Sequence, residues 1–137
     1  MLKLVLDTNT LVSAFFWKGN EYDLFKEIEQ GKVRLFISKE ILDEVGDVLN
    51  RDKFKDILEG TNQNADEIVQ KIISLSHLVI GKRLNINICR DHKDNKFIEC
   101  AVNAHADFII SGDKDLLSLK QYKYIKIVKT SEILPKF

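Results

Sequence analysis

The stretch Met1-Leu2-Lys3-Leu4-Val5-Leu6-Asp7-Thr8-Asn9-Thr10-Leu11-Val12 decides the fold class. Leu2–Leu6 is a short, nearly continuous apolar run, which suits a strand buried on both faces. Asp7 ends it, and Thr10–Trp17 then reads as a helix halted near Gly19. The same step recurs along the chain. Tyr22, Phe25 and Ile28 recur at helical spacing before Gly31. Val33–Ile37 looks like a strand, and Ser38 is a natural N-cap for a helix running to Asn50. Asp66–Leu75 is a further helix, followed by a strand at His77–Ile80. Asp91 caps a helix from His92 to Ala104, Phe108–Ile110 is a short buried strand, Asp113–Leu119 a brief helix, and Tyr124–Val128 a last strand. Strands alternating with helices predict an α/β domain whose mainly parallel sheet is covered on both faces.

The 137 residues suit one domain spanning 1–137. A chain of that length buries about 68–70% of its unfolded surface, enough for a core without staples. Apolar residues make up 45% and charged residues 31%, a globular rather than disordered balance. No apolar run approaches the roughly 18 residues of a membrane span, and Asp7 interrupts any signal-peptide core. A cytoplasmic protein is expected, with Cys89 and Cys100 as free thiols. With 21 basic and 21 acidic residues the net charge is zero, which excludes capture of nucleic acid by the charge of the whole molecule. A local basic patch beside an acidic pocket stays open. Leu116–Ser131 contains no acid but carries Lys120, Lys123, Lys126 and Lys129; Arg51, Lys53 and Lys55 form a second group, diluted by Asp52 and Asp56.

Ligands of parallel α/β sheets sit beyond the carboxyl ends of the strands. Asp7 closes the first strand, and Ser111-Gly112-Asp113 follows Phe108–Ile110. On the helix after Ser38, Ile41, Leu42, Val45, Val48 and Leu49 make the apolar stripe; Glu40, Asp43 and Asp47 lie far from it and Glu44 borders it. On the helix after Asp91, Phe97, Ile98, Ala101 and His105 share a face, with His105 expected as a core histidine. Lys96, Glu99 and Asn103 point away, while Asp94 projects onto the apolar side. A capping box pairing Asp91 with Asp94 is the purely structural alternative for that acid. Brought together, Asp7, Glu44, Asp94 and Asp113 would raise one another's pKa values, and a divalent cation is the natural remedy. Oxygen-only ligands point to Mg²⁺ or Mn²⁺. His77, His92 and His105 lack metal-ligand spacing with the cysteines, and no Gly-rich phosphate loop, G-x-S-x-G elbow or H-E-x-x-H is present.

Four segments together resemble the PIN-domain nucleases, in particular the VapC-like toxins of toxin–antitoxin pairs. They are Val5-Leu6-Asp7-Thr8-Asn9-Thr10-Leu11-Val12, Ser38-Lys39-Glu40-Ile41-Leu42-Asp43-Glu44-Val45, the segment from Arg90 and Asp91 through Asp94 to Glu99, and the segment from Ala106 through Ser111-Gly112-Asp113 to Leu117. The resemblance implies a three-layer α/β/α sandwich and a metal-dependent endoribonuclease that hydrolyses RNA phosphodiesters, the toxin of such a pair. It implies a pocket of Asp7, Glu44, Asp94 and Asp113 for one or two Mg²⁺ or Mn²⁺ ions, with Asn9 and Ser111 orienting ligands or waters and Asp91 and Asp115 behind them. His92 stands where many relatives have Pro. A small antitoxin partner and a homodimer are family expectations. Arg51, Lys53, Lys114 and Lys120 are candidate phosphate contacts. Phe15, Phe16 and Trp17 are expected in core or interface packing, with base stacking as the other option.

Two rival readings exist. A catalytically silent scaffold of the same fold would bind RNA or an antitoxin without needing the ion. A haloacid-dehalogenase-type phosphatase also combines an acidic strand end with a Gly-Asp motif, but here Asn9 replaces its second acid and Leu117 its last.

Overall fold

A computed structural model describes residues 1–61, 63–81, 83–84, 89 and 91–137. Arg90, which opens the third motif, lies outside the described residues. The first half runs β1 (Lys3–Leu6), α1 (Thr8–Phe16), α2 (Asn20–Glu29), β2 (Arg34–Ile37), α3 (Lys39–Leu49), α4 (Asp52–Thr61), α5 (Ala65–Leu75) and β3 (Ser76–Leu78). A 3₁₀ turn at His92–Asp94 leads into α6 (Asn95–Ala104), then β4 (Phe108–Ile110), α7 (Lys114–Leu119), β5 (Gln121–Tyr122), β6 (Ile125–Val128) and α8 (Thr130–Ile133).

The sheet has the order β3-β2-β1-β4-β6-β5, parallel except for the β5–β6 pair at its edge. Val5 stands opposite Phe36 on one side and Ile109 on the other. Leu4, Val5, Leu6, Ile109 and Ile110 are all buried, as the unbroken apolar runs require. Helices flank this sheet, and α6 packs across β1, β2 and β4. The fold is therefore α/β with a mostly parallel central sheet, as the alternation predicts.

Helix starts follow local chemistry. The Ser38 hydroxyl accepts from the Ile41 amide at 3.3 Å and the Asn64 side chain from the Glu67 amide at 2.8 Å, each satisfying an otherwise orphaned donor of a first turn. Leu35, fully buried in β2, is a sensitive core position. Leu35→Ala is expected to cost about 2–5 kcal/mol, read by urea denaturation.

Several expectations need correction. The charge pattern of Arg51–Asp56 predicts only a diluted basic group, yet the segment opens helix α4, where Phe54 and Leu58 are buried and Phe16 packs on Phe54 with ring centroids 5.3 Å apart. The third strand comes earlier than expected, at Ser76–Leu78 directly after α5, and Ile80 is exposed. His105 is not a core histidine. Helix α6 ends at Ala104, and His105 caps it in the left-handed region at φ 53°, its exposed ring 3.4 Å from the Tyr124 hydroxyl. Trp17 is exposed, while Phe15 packs on Phe25 with centroids 5.0 Å apart.

Candidate functional site

Strands β2 and β3 extend the sheet one way from β1, and β4, β6 and β5 extend it the other. At such a reversal the loops leaving the two central strands diverge and open a crevice at their carboxyl ends. Those loops carry Asp7 and Ser111–Asp113. The Asp7 amide donates to the Ile110 carbonyl at 3.0 Å, stitching the two strand ends together.

Asp7 is only 3% exposed and N-caps α1, its Oδ1 accepting from the Thr10 amide at 2.8 Å. Its Oδ2 accepts from the Ser111 hydroxyl, whose oxygen in turn accepts from the Asp113 amide at 2.9 Å. Ser111 thus joins the two acidic loops. Burial raises the Asp7 carboxyl above its ordinary value; the bonds from Ser111 and Thr10 oppose this, and the charge of Asp113 adds to it. Asp113 caps α7, accepting from the Asp115 amide at 3.1 Å.

Asp94 does not serve its helix. Asp91 caps the 3₁₀ turn by accepting from the Lys93 amide at 3.0 Å, and Asp94 takes no capping bond. Its Oδ2 is buried and has no hydrogen-bond partner among the described residues. Burial first, then a hydrogen bond shared with Asp113 and the charges of Asp113, Asp91 and Asp7, push its carboxyl up to about 7. A buried oxygen left without a partner costs about 1–3 kcal/mol, so the fold tolerates this group at a loss.

Glu44, half-buried on α3, stands apart in its bonding. Thr8 Oγ1 donates to one of its oxygens and Lys96 Nζ to the other. Lys96 leaves the first turn of α6 and reaches across to α3, its side chain only 19% exposed.

Asp7, Glu44, Asp94 and Asp113 all line one cleft of about 200 Å³, backed by the buried Val48 and Phe97. Asn9, Asp91, Arg51 and Lys93 line it too, all exposed. Lys53 lies over the Phe54 ring at 5.5 Å, and Lys114 and Lys120 are exposed but outside the described lining of the cleft. An adjoining cavity of about 270 Å³ shares Asn9 and Asp113 and adds Thr10, Ser13, Glu21 and Gly112. Sequence reasoning missed Thr8, Lys93 and Lys96. Thr8 had a signal, since it follows Asp7 directly.

Among the described residues no three His, Cys, Asp or Glu side chains stand as a ready-made metal cage. The donors at the β1–β4 junction nonetheless fit a hard cation: they are all oxygens, they crowd like charges, and one of them is buried and unsatisfied. Cys89 and Cys100 are buried free thiols, pushed up by burial to about 11 and about 12, which keeps them protonated and unreactive.

A family model described as PIN domain matches residues 3–115. An uncharacterized protein of Methanocaldococcus jannaschii is 37% identical over 128 residues, covering 92% of this chain and 81% of that protein. Among solved structures, the chain is similar to one in the crystal structure of VapBC2 from Rickettsia felis bound to a DNA fragment from their promoter. That likeness has a TM-score of 0.61 at 12% identity and covers 92% of this chain and 97% of the other, so it speaks for the fold alone.

Proposed function

Since the chain belongs to the PIN domain family, we propose that it is a metal-dependent endoribonuclease, folded as one domain over residues 1–137 and acting as the toxin of a toxin–antitoxin pair. The observation that carries this reading is the gathering of Asp7, Asp94 and Asp113 at the β1–β4 junction, with a buried Asp94 oxygen that lacks a partner. Their carboxylates would hold Mg²⁺ or Mn²⁺, with Glu44 at the wall of the same cleft. The bound cation supplies a water of lowered pKa and charge stabilisation for the leaving oxygen of a phosphodiester.

The chain's own groups do the rest. Ser111 fixes the direction of the Asp7 carboxylate, and Asp113 takes its place through the Ser111 and Asp115 bonds. Asp91 holds the turn that presents Asp94, and Asn9 lines both the cleft and the cavity beside it. Arg51 and Lys93 offer cations to the phosphates flanking the scissile bond, while the adjoining cavity receives a neighbouring nucleotide. Lys53, Lys114 and Lys120, exposed outside the lining of the cleft, would serve the outer path of the strand. The antitoxin reading is supported by the fold shared with a chain of a VapBC2 complex; a homodimer and a cytoplasmic location are part of the same proposal. Among the described residues no helix is long and apolar enough to cross a membrane.

Incubation with total RNA and Mn²⁺, with and without chelator, tests the proposal. Chelator-sensitive fragments with mappable ends are expected, and intact RNA at every Mn²⁺ concentration would overturn it. Binding of a single-stranded oligonucleotide should weaken with salt, and Arg51→Ala should flatten the slope of log K against log salt by about 0.7. An unchanged slope in fluorescence anisotropy would remove Arg51 from the phosphate path.

A further inference from the structure

Four acids line the cleft, yet they are not equivalent. Asp94 Oδ2 is buried without a partner among the described residues, and Asp94 lines the same cleft as Asp7 and Asp113. Glu44 is the opposite case, with both carboxylate oxygens taken, one by the Thr8 hydroxyl and one by the Lys96 ammonium. The Lys96 and Glu44 side chains are 19% and 26% exposed, so water screens the pair only in part. The geometry is also braced. Lys96 follows Asp94 by two residues at the start of α6, its Nζ is 5.5 Å from the Phe97 ring centroid, and Thr8 follows Asp7 directly at the start of α1. A divalent ion bound by Glu44 would have to displace an ammonium already at hydrogen-bond distance and break the Thr8 bond as well.

We propose that Lys96 is a positioning residue that occupies, at Glu44, the place a second divalent cation would take, so that the cleft binds one ion through Asp7, Asp94 and Asp113 and Glu44 is not a ligand. This rests on the metal-dependent reading above and deepens it. The ammonium sits against the fourth acid and balances its charge, and it leaves the cation's charge to be shared by the three aspartates alone. An ammonium is a compact point charge with three donors, which suits this role beside a carboxylate.

The test is Mn²⁺ binding to the purified full chain, followed by calorimetry and by electron paramagnetic resonance of the free ion, in the absence of RNA. Wild type should bind one ion per chain. Glu44→Gln should still bind one, with affinity changed by less than about tenfold, whereas Asp94→Asn should lose more than about a hundredfold. Lys96→Met should bind two, the second site vanishing in the Lys96→Met/Glu44→Gln double variant, and Lys96→Arg should return to one. Far-UV circular dichroism establishes that each variant is folded. Two ions on wild type, or a loss on Glu44→Gln as large as on Asp94→Asn, overturns the role of Lys96 while leaving the metal-dependent reading intact. No Mn²⁺ binding by wild type, or binding untouched by Asp94→Asn, overturns both.

Discussion

Asp7→Asn should cut RNA about a thousandfold more slowly than wild type in saturating Mn²⁺, while melting at the same temperature or higher at pH 7. The first half follows from the place of Asp7 at the strand junction, where its charge is the one best fixed by the fold, by Ser111 on one side and Thr10 on the other. The second half follows from its burial. The carboxyl is raised above its ordinary value, so ionising it inside the fold costs free energy that an amide does not. An asparagine oxygen can still accept from the Thr10 amide, and its NH₂ can donate to Ser111, whose hydroxyl has a lone pair to spare. Loss of activity with retained stability separates a catalytic role from a structural one. Wild-type cleavage by Asp7→Asn would remove this acid from the machinery, and a collapse in melting temperature would make it a structural cap.

The second large effect is a coupling of pH, metal and stability through Asp94. Its carboxyl ionises at about 7 in the fold and near 3.8 in the unfolded chain. Between those values the folded chain holds a proton that the unfolded chain has lost, so stability falls as pH rises from about 4 to about 7. Asp7, raised by the same burial, tilts the dependence in the same direction. A cation bound to the ionised carboxylates reverses the loss. Mn²⁺ at a hundred times its Kd adds about 2.7 kcal/mol, or about 10 °C in melting temperature for a chain of this size. Asp94→Asn should flatten the fall between pH 4 and 7 and abolish most of the Mn²⁺ shift. Thermal melts over that range decide the matter, and a variant with the full wild-type slope and shift contradicts the assignment.

The sheet and the acids were legible for one physical reason. A parallel sheet buries its strands on both faces, so Leu4–Leu6 and Phe108–Ile110 read as apolar runs, and an acid directly after such a run has to sit at a strand end. Asp94 was visible as a charge on an apolar helix face. What stayed hidden is what one element cannot know about another. A helical wheel sets Lys96 apart from the apolar stripe of its own helix but cannot show that it meets Glu44 on α3. Helix α4 carries Phe54, Ile57 and Leu58 at helical spacing, yet its interleaved Lys and Asp residues mask the stripe in a reading for charge. Position 105 continues the apolar stripe on a wheel, but it lies one residue past the end of α6, where the backbone turns left-handed and the His105 ring is exposed.

The most direct measurement is anomalous diffraction from a crystal soaked in Mn²⁺. A peak bounded by oxygens of Asp7, Asp94 and Asp113 is the predicted result. A cleft without a peak at millimolar Mn²⁺, or a peak held by other residues, would contradict the account.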